Sequence, residues 1–302
     1  MKLIHHLCLC ASLLATFADA APSAKLDTAK IEQLTGVKGT FNTNDGVFKV
    51  TSPRNDVKIS VDGWTMPPFM GLASWVAFTE QKAGDAMVMG DTVLLQDEVN
   101  PVMSAALENG LAVTALHNHF FYDEPKVYFM HINGAGEAGK LALAVRKVWD
   151  KIKEIRAANP QPATMFGGVS MPATNSITGK TIEDMLGAKG QANNGMFKVV
   201  IGRTTTMPCG CVMTKDMGVN TWAAFAGADD NALVDGDFAV LEEELQPVLK
   251  SLRHDGVNIV AIHSHMTQET PRILFLHYWG RGPVAGLAKS LNAALALQKN
   301  AK

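Results

Sequence analysis

The pattern of apolar and polar positions along this chain occurs twice. Asp97–Asn109 and Glu243–Asp255 start with acidic residues, carry a proline in the first turns and are followed by a glycine, which predicts a helix. Each predicted helix is followed by two apolar runs that predict a β-hairpin. The paired strands of these hairpins are Leu111–Leu116 with Lys126–His131, and Val257–Ile262 with Arg272–His277.

The segments around these units repeat as well. Each half carries a short helix that ends at a glycine and a strand that opens with Gly-x-Phe-Lys-Val, and each half closes with helical spacing of Leu, Val and Ala. This order predicts an α+β fold of two homologous repeats, each a mostly antiparallel sheet with two principal helices, in a pseudo-twofold arrangement. The remaining predicted helices are Ile31–Gly39, Ile182–Gly190, Ala135–Ala158 and Val284–Gln298, and the remaining strands are Val57–Val61, Ser74–Thr79 and Ala86–Met89, matched by Val212, Thr221–Phe225 and Ala232–Val234.

Identical residues recur at a fixed offset of 146 positions, the separation of Gly90 from Gly236 and of His117 from His263. Too many positions agree in one register for chance, so the chain contains an internal duplication. We place the first repeat at residues 27–158 and the second at residues 182–302. Residues 159–181 are rich in Pro, Gly, Ser and Thr, which predicts a linker or a long loop laid on the surface.

The first twenty residues have the composition of an export signal. Lys2 precedes an apolar run from Leu3 to Phe17, and Ala18-Asp19-Ala20 is a small-x-small cleavage site. A membrane-spanning helix needs about 20 apolar residues, and polar residues interrupt this run. We therefore expect residues 1–20 to be removed and the mature chain to be periplasmic or extracellular, without a stable membrane anchor.

The composition narrows the choice of partners. Hydrophobic residues make up 47% of the 302 residues, which is enough for a large core. The net charge of −2 and the charged content of 19% provide no basic surface for nucleic acid. A small-molecule or carbohydrate-like ligand remains as the expected partner, and the sequence does not set the oligomeric state.

The histidines are the residues most suited to chemistry. On a strand, residues i and i+2 project from the same face, so His117 and His119 can offer two imidazoles to one centre, as can His263 and His265. Three protein ligands and a water form the common catalytic zinc site, which makes a divalent ion such as zinc the expected cofactor. The candidates for the third ligand are a later histidine of the same hairpin or a loop carboxylate, namely His131, His277, Glu124 and Glu269.

The position of His131 depends on the hairpin register. A loop symmetric about residues 122 and 123 places His131 opposite Thr114, about 10 Å along the strand from the His-x-His pair. A shifted register or a bent strand is then needed to bring His131 to the same ion. The alternative interpretation is that all these histidines are hydrogen-bonding residues of the two repeat cores.

Several other side chains could assist a metal-bound water, whose pKa the metal lowers toward neutrality. A nearby carboxylate could act as general base or orient an imidazole, and the candidates are Glu98, Glu244, Asp91 and Asp237. The helix dipole offers another role for Glu98 and Glu244, as carboxylates of a helix first turn. Arg54 and Arg203 could bind an anionic substrate, or be ordinary surface arginines.

The aromatic run Phe120-Phe121-Tyr122 has no counterpart in the second half, which reads Met266-Thr267-Gln268. Exposed aromatic rings on a loop can stack on a sugar, which favours the first half as the substrate-binding one. Packing of the loop against the core is the alternative.

Two cysteines lie beyond the first twenty residues, in Pro208-Cys209-Gly210-Cys211. A disulfide across a single residue closes a very small ring and should be strained. A soft-metal or redox role is the functional interpretation, and a structural or incidental role is the alternative. The first half carries Pro68 and Met70 in the region that we expect to be equivalent.

Together, the exported start, the duplicated Gly-x-Lys-Gly, the Gly-Asp…Glu-x-x-Pro-Val helix and the His-x-His…His hairpin resemble the bacterial LppY/LpqO family of secreted proteins and lipoproteins. The resemblance extends from about Lys30 to the end of the chain and implies a domain of unknown function. The sequence departs from the lipoproteins because neither Cys8 nor Cys10 follows the small residue that lipid attachment favours. The His-x-His…Glu spacing is also similar to the first metal motif of cupins, but the preceding helix and the missing downstream Gly/Pro/His motif argue against a cupin barrel.

These observations lead to three hypotheses. The first is a metal-dependent hydrolase or lyase that uses the duplicated His-x-His…His sites. The second is a periplasmic metal- or small-ligand-binding module without catalysis, and the third is an interaction domain whose histidines belong to the core. An open coordination position beside a carboxylate in a cleft favours the enzyme, whereas a closed four-ligand site favours binding.

Overall fold

The computed structural model describes residues 26–82 and 84–299. The predicted export signal at residues 1–20 lies outside these residues. The helices are α1 (Thr28–Thr35), α2 (Val99–Glu108), α3 (Ala138–Ala158), α4 (Gly179–Leu186), α5 (Glu242–His254) and α6 (Val284–Leu295), with short 3₁₀ helices at Pro68–Met70 and Lys215–Met217. The strands are β1 (Gly39–Asn42), β2 (Val47–Pro53), β3 (Ser60–Val61), β4 (Trp64–Thr65), β5 (Ala73–Lys82), β6 (Asp85–Leu95), β7 (Ala112–His117), β8 (Asp123–Glu124), β9 (Val127–Glu137), β10 (Gly190–Asn193), β11 (Met196–Gly202), β12 (Thr205–Thr206), β13 (Val212–Met213), β14 (Asn220–Ala228), β15 (Asn231–Leu241), β16 (Asn258–His263) and β17 (Ile273–Gly282).

A single antiparallel sheet of 12 strands runs through both halves of the protein. Its order is β1-β2-β5-β6-β9-β7-β16-β17-β15-β14-β11-β10, so the second half repeats the first in reverse. The halves meet where β7 lies beside β16, with Leu116 opposite Ile262. These two residues are equivalent in the duplication, and equivalent residues face each other when a twofold axis passes between them. The predicted α+β fold of two mostly antiparallel repeats is confirmed.

The helices pack on one face of this sheet. In each half the long helices contact each other, α2 with α3 and α5 with α6, and α2 also contacts α5 across the axis. Strand residues such as Leu94, Met130 and Ile132 face the helices, because side chains alternate between the faces of a strand. One buried apolar cluster contains residues of both halves, so the two repeats share a core.

Short hairpins cover the outer parts of the opposite face. In the first half, β3, β4 and β8 form a small sheet, and Ile59 packs with Val93 and Phe129 beneath it. In the second half, the β12–β13 hairpin lies over a smaller apolar cluster that includes Phe275. Histidines near the centre of this face remain partly exposed, so we call it the open face.

The side-chain amides of two helix residues connect the halves across the axis. The Asn100 side chain on α2 accepts a hydrogen bond from the Ile259 N–H at 2.7 Å and donates to the Ile259 carbonyl at 3.2 Å. Gln246 on α5 makes the same pair of bonds with Val113, at 3.0 Å and 2.8 Å. Both pairs are related by the duplication. Each amide therefore satisfies backbone groups of the other half where β7 and β16 no longer pair with each other.

The central strands are longer than the sequence pattern predicts. β6 continues to Leu95 and β9 begins at Val127 and continues to Glu137, whereas the predicted strands are Ala86–Met89 and Lys126–His131. Every residue from Gly90 to Leu95 is buried, because helices cover one face and the small sheet covers the other. A strand that is buried on both faces has no polar–apolar alternation from which its end could be predicted.

The segment between the repeats contacts the second half. Arg281 donates hydrogen bonds to the carbonyls of Gly167, at 3.1 Å, and Val169, and Ser176 forms a bridge with Ala228. Helix α4 begins at Gly179. Among the residues that the structure describes, no helix is both long enough and apolar enough to cross a membrane.

The cysteine-containing turn has a different counterpart from the one the sequence predicts. Hairpin β12–β13 corresponds to β3–β4, and the 3₁₀ helix Lys215–Met217 corresponds to Pro68–Met70. The predicted equivalence of Cys209 and Cys211 with Pro68 and Met70 is therefore wrong. The cysteines lie in a longer hairpin turn that precedes this helix, and a difference in turn length is not visible where the two sequences share few identities.

Candidate metal centre

Adjacent strands of the second half bring three histidines and an aspartate to one place on the open face. β16 ends at His263, and His265 follows it by two residues. On the neighbouring strand β17, His277 lies opposite Ala261 of β16. Asp237 of β15 lies opposite His277 from the other side. The first half brings together the equivalent residues Asp91, His117, His119 and His131.

Regular strand pairing puts His131 and His277 on the face of the His-x-His pairs. His131 lies opposite Ala115 of β7, two residues before His117, and directly opposed residues share a face. The predicted pairing of His131 with Thr114 is wrong, because the loop is centred on residue 123, with His117 opposite Phe129, and not between residues 122 and 123. His277 lies opposite Ala261 in the equivalent way. A register shift follows beyond these pairs, between Val113 and Ala115 and between Ile259 and Ala261.

The second-half residues form a compact set of donor atoms. One ligand atom from each of Asp237, His263, His265 and His277 lies within 4.8 Å of every other. The Asp237 Oδ2 atom is 3.6 Å from His265 Nε2 and 3.5 Å from His277 Nε2. The Nε2 atoms of His263 and His277 are 3.0 Å apart. This cluster could hold a metal ion, and among the described residues it is the one group that meets this spacing.

The first-half cluster has the same composition and a looser arrangement. The His117 ring centroid is 5.2 Å from that of His119 and 5.1 Å from that of His131. The corresponding second-half distances from His263 are 5.1 Å and 4.5 Å. The third imidazole thus lies closer to the His-x-His pair in the second half.

A phenylalanine supports the second histidine of each pair. The ring centroids of His119 and Phe129 are 3.7 Å apart, and those of His265 and Phe275 are 3.4 Å apart, with nearly parallel planes in both cases. Phe129 and Phe275 are buried and equivalent. Each ring provides a fixed surface that restricts the orientation of the imidazole above it.

Both aspartates are buried beside imidazoles. Burial raises the pKa of Asp237 to about 7, and burial also raises the pKa of Asp91, against the attraction of the neighbouring imidazoles. The Oδ1 atom of each carboxyl group is buried and has no hydrogen-bond partner. A bound cation would supply the missing positive charge.

Burial and mutual repulsion lower the pKa of several histidines. For His119 and His263 the largest cause is burial, followed by a neighbouring imidazole, and burial is also the largest cause for His265. Neutral imidazoles have a free lone pair for a metal. The electrostatic environment of both clusters therefore favours metal ligation over a set of charged histidines.

The predicted carboxylates Glu98 and Glu244 lie away from these clusters in buried ion pairs. The Glu98 carboxylate accepts hydrogen bonds from Arg54 at 2.6 Å and 2.9 Å and from the Leu95 N–H at 2.8 Å. Glu244 pairs with Arg203 in the equivalent way, and its carboxylate also accepts from the Leu241 N–H at 2.9 Å. The predicted general bases Glu98 and Glu244 are thus paired with the predicted substrate-binding arginines, Arg54 and Arg203. Neither group is free for the role that the sequence suggests.

The predicted loop carboxylates are also outside the donor sets. Glu269 is buried and accepts a hydrogen bond from the Ile273 N–H at 3.2 Å, which closes the loop before β17. Its equivalent Asp123 does the same for Val127 at 2.7 Å. Glu124 is exposed and pairs with Ser60 in the small sheet. The structure thus brings together Asp91 and Asp237 with the histidines, and not Glu124 or Glu269.

The aromatic run of the first half divides into two parts. Phe120 packs edge-on against the rings of His119 and Phe129. Phe121 and Tyr122 are 85% and 79% exposed. Phe120 therefore borders the first-half cluster, and the two exposed rings extend beyond it.

A cleft of about 350 Å³ borders the second-half cluster. His277, Asp235 and Trp279 line it from the second half, and Phe166 of the segment between the repeats contributes to another wall. Sequence reasoning missed Asp235, Trp279 and Phe166. Asp235 lies two residues before Asp237 on β15, so strand alternation could have placed both on one face. The contribution of Phe166 depends on how the long segment folds back, which has no local sequence signal.

No curated protein sequence matches the chain. Two trimeric microcompartment shell proteins are similar in a structural comparison. PduB is 10% identical, with 86% of this chain and 89% of that chain covered and a TM-score of 0.20. A double-ringed shell protein of the RMM microcompartment is 11% identical, with 72% and 83% covered and a TM-score of 0.18.

At these TM-scores the shell proteins do not bear on the fold or the function of this chain. The sequence matches the family described as Domain of Unknown Function (DUF1259) over residues 29–151 and again over residues 180–297. The two matched segments coincide with the two structural halves and together cover most of the chain. The protein therefore belongs to the family described as Domain of Unknown Function (DUF1259).

Proposed function

We propose that Asp237, His263, His265 and His277 bind a divalent transition-metal ion, with zinc as the first candidate. The close grouping of these four donors carries the proposal. Two nitrogens bound to one zinc at about 2.0–2.1 Å in tetrahedral geometry lie roughly 3.3 Å apart. The His263 and His277 Nε2 atoms are 3.0 Å apart, which is close to this spacing. The unpartnered Asp237 Oδ1 is a further reason to expect a cation.

We further propose that the protein is a metal-dependent hydrolase or lyase and that its active site lies in the second half. In the enzyme, the metal would have a position for water in addition to the protein donors, and it would supply a Lewis acid and a water of lowered pKa there. Asp235 is exposed, lies beside the donors and lines the cleft, so it is suited to accept a proton from that water. The rings of Trp279 and Phe166 in the same cleft suit a small or carbohydrate-like substrate.

A binding module without catalysis is the second candidate function. Four protein donors fill a tetrahedral zinc site, and such a closed site is typical of structural or storage metals. The two functions differ in the role of Asp235. In the enzyme, Asp235→Asn should keep the metal and lose turnover. In a binding module there is no turnover to lose, and the same change should leave metal binding as it is.

Metal analysis of the purified protein tests the site. We expect the wild-type chain to bind zinc stoichiometrically, and His263→Ala/His265→Ala to lose that ion. The matched variant His117→Ala/His119→Ala removes the equivalent pair from the looser cluster and should keep the second-half ion. Absence of zinc, manganese and copper binding by the wild-type protein, after purification without chelators, would end the metal proposal.

The hydrolase or lyase activity is tested on chromogenic esters, phosphate esters, glycosides and uronides. Turnover of one class that zinc removal abolishes, that zinc addition restores and that Asp235→Asn abolishes would support the enzyme. Stoichiometric zinc without turnover of any class would favour the binding module.

We also propose that the narrower relatives of the chain are the LppY/LpqO proteins, on the duplicated motifs described above.

We further propose that the chain is exported to the periplasm or the extracellular space. The apolar start and the Ala18-Asp19-Ala20 site motivate the proposal of export. The intact mass of the protein recovered from the periplasmic fraction should correspond to a chain beginning at Ala21. Recovery of the uncleaved chain from the cytoplasm would contradict it.

A further inference from the structure

The hairpin turn between β12 and β13 carries two free thiols that have no packing role. Cys209 and Cys211 are both exposed and free of a disulfide, and their side chains are hydrogen-bonded to each other. Gly210 between them has a φ of +83°, which brings the two flanking side chains to the same turn. Buried cysteines usually serve as small apolar residues, and exposure removes that explanation here.

This turn differs from its counterpart in the duplicated half. The β3–β4 hairpin turns through Asp62 and Gly63, whereas β12 and β13 are joined by residues 207–211. The longer connection therefore adds the Pro-Cys-Gly-Cys sequence to a hairpin that both halves share. Folding of the hairpin does not require these residues, since the first half forms it without them.

Hydrogen bonds fix the base of the longer turn to the body of the protein. Thr206 and Thr270 exchange backbone hydrogen bonds of 3.0 Å and 2.9 Å, and the Thr205 hydroxyl donates to the Pro271 carbonyl at 2.7 Å. The Met207 N–H donates to the Cys211 carbonyl at 2.9 Å. The thiols are thus presented on a closed, anchored loop.

Two thioethers accompany the thiols. Met207 lies across the turn from Cys211, and Met213 follows Cys211 by two residues on β13. Directly opposed residues and residues i and i+2 share one face of an antiparallel ribbon. Met207 and Met213 are both partly buried, which fits their common face, and Met213 packs against the apolar cluster of this half. Met207 is the thioether nearer to the turn.

We propose that Cys209 and Cys211 form a binding site for a soft monovalent cation, Cu(I), with Met207 as the accompanying thioether. Thiolate and thioether sulfur select Cu(I) among the common biological metals. Zinc needs four ligands, and the turn offers two thiols and one thioether. Binding releases the two thiol protons to solvent and requires no change in the oxidation state of the copper. The site is separate from the histidine clusters and does not rest on the function proposed for them.

Anaerobic titration with Cu(I), in competition with bicinchoninate, tests this site in the reduced full-length chain carrying Cys8→Ser/Cys10→Ser, so that Cys209 and Cys211 are its two thiols. The background is His263→Ala/His265→Ala, which removes the donors of the second-half cluster. We expect this protein to bind Cu(I) at the turn and Cys209→Ser/Cys211→Ser in the same background to lose that binding. Met207→Leu keeps the size of the side chain without its sulfur and should weaken Cu(I) binding by about tenfold or more.

Thiol titration before the experiment establishes that both cysteines are reduced, and thermal melting establishes that the variants are folded. Equal Cu(I) binding with and without the cysteines would overturn the proposal, as would failure of the reduced wild-type turn to compete with the chelator. Zinc binding at the turn that excludes Cu(I) would overturn the assignment to a soft monovalent ion. Loss of zinc from the histidine cluster in His263→Ala/His265→Ala tests the other site and leaves this one unaffected.

Discussion

At the level of single residues, two pairs of equivalent buried carboxylates are of different kinds. Glu98 and Glu244 have an arginine and a backbone N–H as partners. Asp91 and Asp237 have an oxygen with no partner and lie beside imidazoles. A buried carboxylate without a partner is costly to a protein that gains nothing from it. The first kind fits a structural role and the second fits a binding role.

Replacing Asp237 should therefore stabilise the metal-free protein. The pKa of Asp237 is about 7 in the folded chain, above its usual value, so folding binds a proton and the free energy of unfolding falls as the pH rises toward 7. Asp237→Asn removes this loss. We expect the metal-free variant to melt about 2–4 °C above wild type at pH 8, and close to wild type near pH 4. Thermal melting with a chelator measures this difference.

The exposed replacement Asp216→Asn serves as the control and should leave the melting temperature unchanged. With zinc present the order should reverse, since wild type alone gains stability from a tightly bound ion. A variant as unstable as wild type at pH 8 without metal would contradict the account of Asp237.

Replacing Glu98 should instead destabilise the protein. Glu98→Ala leaves Arg54 and Arg156 without their shared buried carboxylate, and such a loss costs about 3–5 kcal/mol of unfolding free energy. Asp150→Ala breaks the exposed pair with Arg146 and should cost less than about 1 kcal/mol. Urea unfolding measures both. A folded, fully stable Glu98→Ala variant that has lost turnover would restore the catalytic hypothesis for Glu98.

At the level of secondary-structure elements, two helices support the short strands that carry the histidines. The register shifts in β7–β9 and β16–β17 lie just beyond the pairs that contain His131 and His277, and in the same segments Gln246 binds β7 and Asn100 binds β16. The side-chain amides of Asn100 and Gln246 form hydrogen bonds with the backbone groups that these short strands leave unpaired. The helices thereby connect the two halves and support the strands that carry the histidines.

Removing one of these amides should destabilise the whole chain. Asn100→Ala and Gln246→Ala each leave a buried N–H and a carbonyl without a partner, with an expected cost of about 1–3 kcal/mol in unfolding free energy. Gln33→Ala, on the exposed side of α1, is the matched control and should change it by less than about 0.5 kcal/mol. Urea denaturation of the three variants makes the comparison. Equal stability of all three would contradict the role of the amides.

At the level of the whole molecule, the duplication is symmetric in its sheet and asymmetric at its surface. His117 and His263 directly follow Leu116 and Ile262, so the two clusters lie on either side of the axis on the open face. The segment between the repeats contacts the second half and contributes Phe166 to the cleft beside His277. The cysteine turn is also confined to the second half. Both differences add functional groups to the second half.

The shared sheet and core should make the two halves unfold together. One apolar cluster contains residues of both repeats, and α2 packs against α5. We expect differential scanning calorimetry of the full chain to give one transition whose calorimetric and van't Hoff enthalpies agree. Two separated transitions would mean that each repeat is an independent domain.

The sequence by itself determined the duplication, the α+β order and the shared face of each His-x-His pair, because these features follow from identity at a fixed offset and from local side-chain periodicity. It also named Asp91, Asp237 and all six clustered histidines. Only the tertiary structure decided that His131 and His277 join them, because the hairpin register depends on where the loop is centred, and the loop sequence carries no signal for a difference of one residue. The partners of Glu98 and Glu244, and the wall that Phe166 adds to the cleft, likewise depend on contacts between residues distant in sequence. The candidate metal donors therefore cannot be told from the other polar residues by sequence alone. Strand pairing across the sheet and the path of the long connection determine which of them come together.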